Sequence, residues 1–151
     1  MTDRQKIAEA AFHEGFNCAQ AVLLGFSKEI GLKDEELLRI SSGFGSGMAR
    51  MQETCGALTG GMMVISYLYG KHKVGDHASK EISIEMIGAF VKAFRAKHKN
   101  THCRDLLGLD LSTAENIKIA SEDPSYTKKC TDYVTDAVDI LEREILKLPG
   151  F

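Results

Sequence analysis

The chain has 151 residues, 44% of them hydrophobic and 26% charged, with only 2 prolines, so it can bury a core of its own and is too apolar for disorder. A formal net charge of −2 gives no footing for nucleic acid or an anionic membrane surface as the main partner. The N-terminus, MTDRQKIAEAAF, lacks the apolar centre of a signal peptide, and no apolar run reaches the ~20 residues of a bilayer span. The expectation is a cytoplasmic protein without membrane insertion.

Residues 3–14 have helical spacing, with Ile7, Ala11 and Phe12 on the apolar face and an interruption at Gly15. Asn17 then caps a second helix. Cys18 falls in its first turn, over Val22 and Phe26 on one face. Residues 28–31 end this element, and residues 34–40 form a short helix with an acidic start. A glycine-rich loop, residues 41–47, leads toward the most apolar stretch of the chain.

That stretch, about residues 54–69, predicts a central helix with Thr54 as N-cap. Cys55, Leu58, Met62, Ile65 and Tyr69 form one stripe, and Ala57, Gly61, Val64 and Leu68 form another. A helix apolar on both sides has to be wrapped by others. Gly56, Gly60 and Gly61 each cost the helix roughly 1 kcal/mol against alanine, which predicts another backbone packed closely there.

Gly70 ends this helix. Residues 76–99 predict a long one, opened by Asp76, with Ile82, Met86, Ala89, Phe90 and Ala93 inward. Residues 100–110 read as a break carrying Cys103, and residues 111–120 as a short helix. Asp123 and Pro124 start the last helix, whose inward face carries Cys130, Val134, Ala137, Val138, Leu141, Ile145 and Leu148. No convincing strand or repeat occurs. The expected fold is all-α, a single four-cysteine helical domain over residues 1–151, built as a bundle of about five to seven helices.

The glycine-rich loop lacks the lysine and hydroxyl residue of a phosphate-binding P-loop and follows a helix rather than a strand, so it reads as a close-packed connection. Arg50 is the one residue nearby that could hold an anion. The histidines show no paired metal spacing, and only His102, beside Cys103, draws functional interest.

The 4 cysteines carry the chemistry. Reducing conditions make them metal ligands or redox thiols before structural disulfides, and no CxxC occurs, which removes zinc ribbons and thioredoxin-type motifs. Cys18 and Cys55 each follow a capping residue, where a helix dipole lowers a thiol pKa. Cys103 sits among Arg95, Lys97, His98, Lys99, His102 and Arg104, a cationic setting that favours thiolate. Cys130 lies on an apolar helix face, so Cys55 or Cys103 is the expected attacking thiol.

Phe16, Asn17, Cys18, Ala19, Gln20, Ala21 and Val22 are joined by residues 45–48, by Cys55, Gly56, Ala57 and Gly60 with the run to Gly70, by Cys103, Arg104 and Leu107, and by Cys130. This pattern, spread over nearly the whole chain, resembles the C_GCAxxG_C_C family of redox-active proteins. The resemblance implies a redox role for Cys18, Cys55, Cys103 and Cys130, and it brings no substrate with it.

Three readings stand. In the first, the thiols exchange with disulfides or transfer electrons, as in a thiol-dependent oxidoreductase, with a pairing that spacing does not decide. In the second, the same four cysteines hold iron, an iron–sulfur cluster or zinc in an electron-transfer module. The third is a non-catalytic helical interaction protein with buried cysteines. The partner, a redox protein or a small molecule, is not identified by the sequence, and a homo-oligomer stays open.

Overall fold

The computed structural model describes residues 1–150, and the all-α expectation is borne out. Nine helices follow in chain order: α1 (Asp3–Glu14), α2 (Cys18–Gly25), α3 (Ser27–Ile30), α4 (Asp34–Ser41), α5 (Gly56–Tyr69), α6 (His77–His98), α7 (Cys103–Leu107), α8 (Ala114–Glu122) and α9 (Pro124–Ile140). The count exceeds the expected range because short pieces such as α3 and α7 fall in stretches that read as a helix end and a break. Among the described residues no strand forms, and none of the helices is long and apolar enough to cross a membrane. The only extended pairing there is an isolated antiparallel bridge between Thr54 and His102.

The central helix is α5, and α2, α6 and α9 pack around it, with α1 laid across α2 and α9. Ala57, Leu58, Val64 and Ile65 of α5 are fully buried. The glycines explain how the helices come so close. A Cβ on Gly60 would stand 2.7 Å from the Ala19 carbonyl oxygen, and one on Gly56 would stand 2.9 Å from Cys18 Cβ. A Cβ on Gly61 would collide with the Phe90 ring. The two positions facing α2 therefore bring Cys18 against the start of α5.

Capping fixes α2 in turn. Asn17 Oδ1 accepts from the Gln20 N–H at 3.0 Å, and Gln20 Oε1 accepts from the Asn17 N–H at 2.9 Å. The Gln20 amide also donates to the Leu38 carbonyl at 3.0 Å, tying α4 to α2. Asp123 and Pro124 open α9 as expected, with Asp123 accepting from the Ser125 N–H.

Several local expectations need correction. The central helix begins at Gly56, and its N-cap is Cys55 rather than Thr54, because residues 53–55 are held extended against residues 101–103. The last turn of α5 projects outward, leaving Tyr67 and Tyr69 exposed. In α1 the inward residues are Arg4, Gln5, Ala8 and Ala11, while Ile7 is 48% exposed. A buried ion pair on Arg4 turns that face. In α6 the buried positions are Ser83, Phe90 and Phe94, and Ile82 points out. The short helix predicted at residues 111–120 begins at Ala114, since Thr113 caps it through the Asn116 N–H. After Ile140, α9 widens into a π turn, Leu141–Ile145, closed by the Leu146 N–H on the Leu141 carbonyl at 2.8 Å. That turn buries Leu141, Glu142 and Leu146, so Leu146 replaces Ile145 as the more enclosed residue.

Candidate functional site

Four chain segments bring the cysteines to one cavity of about 660 Å³. Cys18 is the first residue of α2, Cys55 is the N-cap of α5, Cys103 is the first residue of α7, and Cys130 lies on the second turn of α9. All four line the cavity, together with Phe12 and Phe16 from the end of α1 and Tyr126 and Tyr133 from α9. Cys55 forms the floor at 5% exposure, and the other three are half-buried. All four are free thiols.

Cys55 and Cys103 are set by the bridge between their segments. The Cys55 N–H donates to the Thr101 carbonyl at 2.8 Å, and the Cys103 N–H donates to the Glu53 carbonyl at 2.7 Å. The cations expected to activate Cys103 are engaged elsewhere. Arg104 pairs with Glu53 at 2.7 Å, Lys97 and His98 meet Asp136 at 2.8 and 2.9 Å, and His102 faces Glu53 at 3.8 Å. Gln52 is the polar group beside the Cys103 sulfur, its Nε2 at 3.9 Å. The same side chain donates to the Leu109 carbonyl and accepts from the Leu111 N–H, both at 2.8 Å, which pins the approach to α8.

The electrostatics reverse the expected ranking of the thiols. Burial pushes Cys55 up to about 12, although the Ala57 and Leu58 amides at the start of α5 draw it down. No side-chain hydrogen bond caps that helix, so the amides act on the sulfur only weakly against its desolvation. Cys103 is raised by burial, with the Gln52 amide opposing. Cys18 and Cys130 share a hydrogen bond, and the pair divides. Cys130 is lowered foremost because Cys18 donates to its sulfur, burial opposing and the Lys129 ammonium assisting, while Cys18 rises well above the ordinary thiol value. One negative charge in this cluster therefore settles on Cys130. A second is opposed by the first at each remaining sulfur.

One wall of the cavity has an unusual backbone. Ser46, Gly47, Met48, Ala49 and Arg50 are consecutive residues at positive φ, from 49° to 68°, a left-handed turn that L side chains disfavour by roughly 1–2 kcal/mol each. Gln52 follows at 54°. The Ala49 N–H to the Gly43 carbonyl at 2.9 Å and the Glu53 N–H to the Gly47 carbonyl at 3.0 Å hold the turn closed. Gly45 packs on Asn17, whose amide donates to the Ser42 carbonyl at 2.9 Å. The loop is a close-packed connection, as its composition indicates, and it also brings Ser46, Gly47 and Arg50 to the cavity. Composition gave no sign of that handedness. Gln52 and the aromatic wall were likewise unmarked in the sequence, since neither belongs to a spaced motif.

A family model described as Putative redox-active protein (C_GCAxxG_C_C) matches residues 16–144. No curated protein and no solved structure matches the chain.

Proposed function

Because the chain belongs to the C_GCAxxG_C_C family, we propose that it is a thiol-dependent redox protein acting as one four-cysteine unit, with Cys130 as the attacking thiolate and Cys18 as the resolving thiol. The observation that carries this reading is the hydrogen bond between the Cys18 and Cys130 thiols inside a cavity that all four cysteines line. A thiolate, not a thiol, attacks a disulfide, and the attacker closest to ambient pH is favoured. In the exchange, Cys130 bonds to one sulfur of the substrate disulfide and the other sulfur leaves, taking the Cys18 proton. The Cys18 thiolate then attacks Cys130, expels the second sulfur and closes a disulfide between the two cysteines. Two electrons pass to the substrate. A thiol reductant, protein or small molecule, returns the dithiol.

Iron, an iron–sulfur cluster or zinc held by the same four thiols is the second reading, and the shared cavity is its support. Among the described residues no group of three or more His, Cys, Asp or Glu side chains is placed to hold a metal ion, so the arrangement favours the thiol pair. The test is a brief alkylation of the reduced protein near neutral pH, followed by mass mapping. Cys130 is expected to label first, and more slowly in Cys18→Ser, which lacks the sulfur donor. Mild oxidation with diamide is expected to link Cys18 to Cys130. Preferential labelling of Cys55 or Cys103, or a crosslink between other cysteines, would sink the assignment.

A further inference from the structure

The cavity has a chemical bias that the thiols do not explain. The chain carries 21 aspartates and glutamates, yet none of them lines the cavity. Arg50 does, from an exposed position at the rim, and it has no ion-pair partner among the described residues. The left-handed turn fixes its backbone there. Behind it, Phe12, Phe16, Tyr126 and Tyr133 supply an aromatic wall, and Leu106 and Leu111 extend the apolar lining. An unpaired guanidinium at the mouth of an apolar, acid-free cavity suits a ligand with an apolar body and one anionic end. The volume of about 660 Å³ lies within the range of small-molecule sites. Cys55 is enclosed and Cys18 and Cys130 are half-buried, so a disulfide in a folded protein would have to bring its own backbone inside.

Resting on the dithiol reading above, we propose that the substrate is a small organic disulfide with a carboxylate on an aryl-sized apolar body. Arg50 holds the carboxylate at the rim while the sulfur–sulfur bond reaches Cys130. The electron balance is the one already given: the substrate leaves as two thiols and the protein as the Cys18 to Cys130 disulfide.

Two measurements on the reduced full-length chain test this and separate its failure from that of the dithiol reading. The first involves no sulfur chemistry: naphthalene carboxylate, naphthalenemethanol and naphthylmethylamine are titrated in turn by calorimetry. The carboxylate is expected to bind tightest and the amine weakest, and Arg50→Gln should weaken the carboxylate about fivefold to tenfold, with Arg50→Lys restoring part. Equal binding of the three, no binding, or a carboxylate preference that survives Arg50→Gln overturns the proposal. The second compares single-turnover rates with dithiobis(nitrobenzoic acid), which carries carboxylates, and with uncharged dithiodipyridine. The ratio of the first rate to the second should fall about fivefold to tenfold in Arg50→Gln. An unchanged ratio overturns the proposal. If the carboxylate binds through Arg50 but neither disulfide is reduced, the dithiol reading fails and takes the substrate assignment with it.

Discussion

The two ends of α1 lie against two kinds of buried polar cluster. At its start, Arg4 is 3% exposed and donates to Glu29 Oε1 at 2.8 and 2.6 Å and to the Pro149 carbonyl at 2.9 Å, while its ion pair with Glu142 measures 3.1 Å. Glu142, 1% exposed, also accepts from the Thr2 hydroxyl at 3.0 Å. At the other end, Phe12 looks into the cysteine cavity, about 12 Å farther along the helix axis. There the thiols have few partners except one another. A buried charge persists when opposite charge and hydrogen bonds surround it, and a buried thiol without them keeps its proton. The Arg4 end is thereby locked in one ionic state. The cysteine end admits a single negative charge and can change oxidation state.

Breaking the lock is expected to have the largest effect on stability. Arg4→Met leaves Glu29 and Glu142 buried without their cation and should cost roughly 3–5 kcal/mol in urea denaturation. The order of cysteine alkylation in the folded variant should stay as it was. If that order changes, the two ends are coupled and the contrast drawn here is wrong.

A smaller effect belongs to the crossing that brings Cys18 to α5. Gly60→Ala places a carbon 2.7 Å from the Ala19 carbonyl, a backbone atom that has to move. The expected loss is about 1–3 kcal/mol, with slower Cys130 alkylation because α2 carries Cys18 away. Gly88 on α6 has nothing within 4 Å of its would-be Cβ, and Gly88→Ala should instead gain about 0.5–1 kcal/mol. Equal denaturation midpoints for the two variants would remove the argument for a close crossing.

The gentlest probe is pH. Cys55 is raised from 9.0 to about 12, so the folded chain holds this proton where the unfolded chain releases it. Its contribution to stability is complete below about pH 9 and is lost as pH rises toward about 12, by at most about 1.4 kcal/mol per pH unit. Cys55→Ala should flatten the stability profile over that window. A profile parallel to that of the parent protein would mean that Cys55 titrates normally.

Much of this fold was legible because its signals are local. Asn17 ahead of Cys18, Asp123 with Pro124, and the glycines of the central helix act within a turn or through close contact, and each does in the structure what its residue type suggests. The presence of the cysteines was legible too, but their ranking was not. It depends on partners far away in sequence: Glu53 takes Arg104, Asp136 takes Lys97 and His98, and Cys18 meets Cys130 across two helices. Lysines and arginines near a thiol in sequence say nothing about which carboxylates reach them first. The exposure of Ile7 has the same origin, since the long-range pairing of Arg4 with Glu29 and Glu142 decides which face of α1 turns inward.

The π turn at Leu141–Ile145 has a consequence for chain length at this point in the sequence. Its hydrogen bond spans five residues instead of four, so it holds one residue more than an α-helical turn would. That extra residue lets Leu141 and Glu142, adjacent in sequence, both stay inside, and it sets the phase from which Leu146 turns inward and Pro149 reaches Arg4. Arg143 and Glu144 are exposed and can change identity freely. Deleting either would return the turn to the α repeat and rotate everything after it by about 100°. The segment is thus tolerant of substitution and intolerant of deletion, and its spelling matters less than its length.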